Sequence, residues 1–216
     1  MLVRKSGMDA KTLKSELTQK AIIDAALELA LEKGLFSITL QAVADKLQLS
    51  KSGIFSRVGS KESLRNAVIQ EYSQRFMDDV FMPSLKRPRG VERLSCIFER
   101  WTESIISAKS MGSSLFEATA FSFELDTQAD LKKQLTDGVA AWRSVLYKCT
   151  QHCLDAQQFP QNMDIDVFLL DLHNLVLGLL YETHFIVDKQ ARMRIRKSYR
   201  LLLERNLTAE YQHLSG

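Results

Sequence analysis

Between residues 46 and 65 the chain carries Lys46, Lys51, Arg57, Lys61 and Arg65 against one acid, Glu62. Ser50, Ser52, Gly53, Ser56 and Ser60 are interleaved with them. Cations separated by small hydroxyl residues suit hydrogen bonds and ion pairs to phosphate oxygens, with backbone N–H groups in reach. A solvated basic turn has the same composition, so charge alone leaves both readings open. Cys149, His152 and Cys153 are spaced i, i+3, i+4. On a helix they share a face and offer three soft metal ligands or a thiol sensor. No second cluster accompanies them, and ordinary packing is the competing reading. The chain has four His and no GxGxxG, P-loop, HExxH or GxSxG motif. No catalytic constellation assembles, so no enzyme, cofactor or resident metal is expected.

The elements that position the basic stretch are short. Leu40, Val43, Ala44 and Leu47 repeat at helical spacing, with Thr39 able to cap. Ser50 can cap a following helix over about Lys51 to Arg57, with Leu49 and Ile54 at the two positions of a hydrophobic staple. Ile54 and Val58 face inward together, which leaves Lys51, Ser52, Gly53, Phe55, Ser56 and Arg57 outward. Ser60 can cap a fourth helix, with Glu62 in the first turn where the helix dipole favours an acid. An earlier helix is predicted after Thr18, with Ala21, Ile22, Ala25, Ala26, Leu29 and Ala30 on one stripe and Gly34 as its stop. Two short helices packed on a longer one form a helix-turn-helix, and the surface fits a DNA backbone and major groove.

The rest of the chain is also read as helical, with no sustained period-two alternation. The fourth helix is predicted to end before Pro83, and 83–90 to be a connector. Further helices are predicted at about 91–108, 113–124, 127–157, 164–187 and 189–207. The expectation is an all-α protein of about nine helices. Its 216 residues, 45% hydrophobic and 25% charged, suffice for a substantial core. Residues 1–65 hold 11 Lys/Arg against 7 Asp/Glu, while the remainder holds 18 against 19. The positive excess therefore lies wholly in the N-terminal third, as contact with a polyanion requires. Three cysteines and an N-terminus without an apolar signal core lead us to expect a reducing, cytoplasmic setting. The most apolar run, 167–187, is long enough to span a bilayer, but Asp171, His173, Asn174, Glu182 and His184 interrupt it. A helix buried against protein is the expectation, with no membrane partner.

Residues 18–68 resemble the N-terminal domain of the TetR/AcrR family of bacterial transcriptional repressors. The resemblance runs through AIIDAALELALEKG, ITLQAVADKLQLS and KSGIFSRVGSKESL. It implies a helix-turn-helix DNA-binding domain over 1–65 and a helical effector-binding and dimerisation domain over 66–216. Carried over, Thr39 and Gln41 approach DNA from the first helix of the motif. Lys51, Ser52 and Gly53 open the recognition helix, and Phe55, Ser56, Arg57 and Lys61 clamp the backbone. Two departures stand out. Where the family commonly has Tyr, Phe55 lacks the hydroxyl that reaches a phosphate. Where it often has His and Phe, this chain has Arg57 and Val58.

The resemblance further implies a homodimer on a double-stranded DNA operator, released by a small-molecule effector of unknown identity. Leu169, Leu172, Val176, Leu179 and Leu180 are the candidate dimer interface; with Leu175 they make the helix apolar on nearly every side. Candidate pocket residues are Phe76, Phe98, Trp101, Ile105, Phe116, Phe121, Trp142, Leu146 and Tyr181, with Glu117, His173 and Glu182 as polar members. The expected effector is mostly apolar. Competing readings are a basic-headed helical adaptor and a regulator that senses thiols or metal through Cys149, His152 and Cys153.

Overall fold

A computed structural model describes residues 10–107, 115–120 and 122–215. All regular structure among them is helical. In chain order the α-helices are α1 (Ala10–Lys33), α2 (Leu40–Leu47), α3 (Lys51–Val58), α4 (Lys61–Phe76), α5 (Val91–Ile106), α6 (Leu115–Ala120), α7 (Ala129–Asp155), α8 (Ile165–Tyr181) and α9 (Ala191–Asn206). A π turn at Met77–Phe81 carries α4 to its expected end before Pro83, and a 3-10 turn at Met82–Lys86 runs on into the segment read as a connector, with Pro83 in its first turn, where a missing N–H is least needed. Another π turn, Glu182–Ile186, extends α8.

Helix α1 begins at Ala10, two turns before the predicted start after Thr18. The apolar stripe of α1 starts later, at Ile22, so those first turns carry no periodic signal; Leu17 is left exposed. From Ile22 to Ala30 the expected stripe is buried, while Ala21, also expected on it, is exposed. The helix stops at Gly34, which adopts φ 87° and donates its N–H to the Ala30 carbonyl at 2.8 Å. A left-handed residue there suits glycine. At the start of α5 Gly90 (φ 106°) is required by both backbone and space: a Cβ would lie 2.1 Å from Gln158 Oε1. That oxygen accepts the Val91 N–H at 2.8 Å and so caps α5.

Buried apolar side chains among the described residues gather in two clusters. One holds α1 to α4 together and also takes in Leu115, Leu125, Leu131 and Leu135. The other joins α5, α7, α8 and α9, with Trp101, Leu146, Phe168 and Leu172 among its members. Helix α4 runs unbroken from the first cluster into the second, since Tyr72 packs on one and Phe76 on the other. The two cores meet where these rings lie.

Candidate nucleic-acid interface and ligand cavity

Each short helix of the basic stretch is set by a local cap. Thr39 Oγ1 accepts the Ala42 N–H, Ser50 Oγ the Gly53 N–H and Ser60 Oγ the Ser63 N–H, each at 3.0 Å. These side chains satisfy N–H groups that the helix starts leave open. Gly53 has a reason of its own, because a Cβ there would sit 3.0 Å from the capping Ser50 Oγ. Gln48 closes α2 in the left-handed region (φ 55°), and Gly59 closes α3 at φ 76°. Ile54 anchors α3 with no exposure, supported by half-buried Val58. Leu49 is 44% exposed and stays outside the apolar cluster, so the expected staple is not what holds α3. The capping Ser50 and inward Ile54 suffice.

The outward face carries Lys51, Ser52, Phe55 (57% exposed), Ser56 and Arg57. Thr39 and Gln41 lie exposed at the start of α2. Gln41 Nε2 donates to Asp45 Oδ1 at 2.7 Å. The basic residues divide. Lys51 and Lys61 remain at the surface, and Lys61 lies 3.9 Å from Glu62. Arg57 donates to Ser15 Oγ at 2.7 Å and to the Ser15 carbonyl at 3.3 Å, so it rests against α1. Lys46 pairs with Glu28 of α1 at 3.0 Å. Arg65 is interior. It is 5% exposed, donates to the Phe36 carbonyl at 2.9 Å and to Gln128 Oε1 at 3.2 Å, and lies 5.1 Å from the Phe36 ring centre. Three of the five cations that gave the sequence its basic stretch therefore bond to other elements of the protein.

A cavity of about 300 Å³ lies where the two apolar cores meet. Six of the expected residues line it: Phe76, Trp101, Phe116, Glu117, Trp142 and His173. Tyr72, Ser73, Met77, Gly138, Val139, Ala141 and Val145 complete the wall. The i, i+4 pair of Tyr72 and Phe76 on α4 was the available signal for Tyr72. Gly138 admits the Phe116 ring, which a Cβ would approach to 3.1 Å. Phe76, Trp101 and Trp142 meet edge to face, with centroids 5.0–6.0 Å apart. Burial pushes the Glu117 carboxyl above its ordinary range. Burial and the Arg143 charge hold His173 below its own.

Five expected pocket residues lie elsewhere. Phe98 stacks on Tyr199 at 3.9 Å, and Ile105 and Leu146 are solid core. Tyr181 is half exposed and stacks on Phe185 at 5.0 Å. Glu182 lies 3.9 Å from Arg194 of α9. Phe121 falls outside the described residues. The thiol and metal reading is corrected as well. Cys149 and Cys153 are buried, and Cys153 Sγ donates to the Cys149 carbonyl at 3.4 Å. Burial raises both thiols, the reverse of a reactive thiolate. Among the described residues no group of three His, Cys, Asp or Glu is placed to hold a metal.

The expected dimer residues need a similar correction. Leu169, Leu172, Val176, Leu179 and Leu180 all face their own protomer's core. Helix α8 instead leaves Val167 (54% exposed), Leu170 (53%) and Asn174 exposed, as α9 leaves Leu201 (54%) and Arg205. Asp171, Asn174, Ser198, Leu201 and Arg205 line one shallow groove between the two helices. Among the described residues no helix is long and apolar enough to cross a membrane.

Residues 22–68 match the family model described as bacterial regulatory proteins, tetR family. Residues 90–199, half the chain, match that of the tetracyclin repressor-like C-terminal domain. The chain belongs to the TetR family. The HTH-type transcriptional regulator SrpR of Pseudomonas putida is 24% identical over 196 residues, 89% of this chain and 84% of that protein. Among solved structures, a TetR-family regulator from Cytophaga hutchinsonii superposes with a TM-score of 0.72 at 17% identity, covering 90% of this chain and 97% of that one. AibR in complex with isovaleryl coenzyme A and operator DNA superposes at 0.65 with 16% identity, covering 85% and 95%. The TetR assignment accounts for both ends of the architecture: a capped helix-turn-helix at residues 39–58 and a helical second half that encloses a cavity.

Proposed function

We propose that this TetR-family regulator is a cytoplasmic homodimeric repressor, without enzymatic activity, that leaves its operator when a small molecule enters the cavity. The α3 helices of two protomers enter successive major grooves, with centres about 34–36 Å apart or a multiple of it. Lys51, Ser52 and Gly53 open α3 against base edges. Arg57, Lys61 and the open N–H groups at the start of α4 take backbone phosphates. Phe55 packs on sugar, as it has no hydroxyl to offer a phosphate.

One observation carries the link between ligand and DNA. Leu115 of α6 is buried in the DNA-binding core, while its neighbours Phe116 and Glu117 wall the cavity. Helix α4, whose start faces the phosphates, contributes Tyr72 and Phe76 to the same wall. A molecule that fills the cavity presses on α4, which packs on α3, and on α6, whose Leu115 belongs to the same apolar cluster as Ile54 of α3.

The test is anisotropy of the full chain on labelled fragments of its own upstream region. Saturable binding to one palindromic fragment is expected, with Lys51→Ala weakening it by about 1–3 kcal/mol. Equal, weak binding to every fragment would favour the adaptor reading.

A further inference from the structure

The cavity wall is unusual in its charge. Among the described residues it includes one carboxylate, Glu117, and neither Lys nor Arg. No cation from those residues acts on Glu117; burial is the main influence on its carboxyl. His173 adds no lasting positive charge, since burial favours its neutral form. Around the carboxylate stand five aromatic side chains. Trp101 and Trp142 cross at 87°, Phe76 and Trp142 at 88°, and Tyr72 and Phe116 at 90°. These edge-to-face pairs give the wall both ring edges and ring faces, with one carboxylate among them.

We infer that the cavity takes a compact organic cation with an apolar body, its charge shared between Glu117 and the surrounding aromatic faces. This rests on the reading of the cavity as the effector site. Burial alone favours the protonated form of Glu117, a cation seated beside it favours the carboxylate, and a neutral apolar molecule would bury the carboxyl further without adding a hydrogen-bond partner. An anion would meet a carboxylate and find neither Lys nor Arg in the wall; Arg143, whose charge reaches His173, stands outside it. A metal ion is a poor fit, since hard cations take six or more oxygen ligands and this wall offers one carboxylate. The volume of about 300 Å³ is at the small end for ligand pockets, which limits the molecule to about one ring with its substituents.

Calorimetry of the full chain tests this with three ligands of similar size: benzyltrimethylammonium, its uncharged isostere neopentylbenzene, and the anion 3-phenylpropanoate. The unaltered protein is expected to bind the cation about thirtyfold or more tighter than the anion. Glu117→Gln is expected to weaken the cation about tenfold or more and to leave neopentylbenzene within about threefold. The comparison of cation with anion needs no variant, so it holds even where Glu117→Gln fails to fold. Equal affinity for cation and anion, or binding of neopentylbenzene alone, overturns the cationic class and leaves the effector cavity standing. Binding of none of the three, with tryptophan emission unchanged, overturns both.

Discussion

Arg57 is exposed on α3, yet its guanidinium already has partners on Ser15. Contact with a phosphate therefore exchanges one set of hydrogen bonds for another, and the net gain is mostly charge neutralisation and counterion release. Arg57→Ala is expected to weaken DNA binding on every sequence and to lower the slope of log affinity against log salt by about 1. Ser15→Ala should leave that slope unchanged. A salt series of both variants checks this, and an Arg57→Ala effect confined to base preference would contradict it. Residues of this kind differ in how far the sequence reveals them. The caps Thr39, Ser50 and Ser60 were legible because a cap acts three residues away on its own helix. Arg65 was not. Its burial depends on Phe36 and Gln128, 29 and 63 positions distant, and no local pattern marks an arginine that turns inward.

Among the elements, Arg65 joins the start of α4, the turn after α1 and the loop before α7. Arg65→Met keeps the apolar stem but leaves the part-buried Phe36 carbonyl without that donor. The expected loss is about 1–3 kcal/mol of stability, read as a lower urea midpoint. An unchanged midpoint would show that the brace contributes nothing. Helix existence was legible from period and caps, and most boundaries fell within a turn. The exceptions have physical causes. The first turns of α1 lie ahead of the apolar stripe, and a 3-10 turn at Met82–Lys86 carries the chain past the expected end at Pro83. Helix α8 is apolar on nearly every side, so its period could not say which stripe faces inward. The buried stripe took Leu169, Leu172 and Val176, and the interleaved one, with Val167 and Leu170, faces out. The aromatics posed the same difficulty. Phe98 and Phe76 are alike in type, and only the neighbour across from each decides between core and cavity wall.

For the whole molecule, the proposal requires two protomers joined through the outward stripe of α8 and α9, since a single α3 reads too few base pairs to select a site. Leu170 and Leu201 are already exposed in the protomer, so replacing them with Glu should move its stability by no more than about 0.5 kcal/mol. The same change places like charges across a two-fold interface. The charge distribution and the all-helical architecture were both legible in the sequence; which surfaces meet a partner was not, because that depends on a second copy. The most direct measurement is sedimentation of the unaltered chain and of the Leu170→Glu, Leu201→Glu variant, each with and without its upstream DNA. The account predicts a dimer that binds one palindrome as two protomers, and a folded monomeric variant with at least about a hundredfold weaker affinity. A native chain that sediments as a monomer and ignores that DNA, or a monomeric variant that binds it equally well, would contradict it.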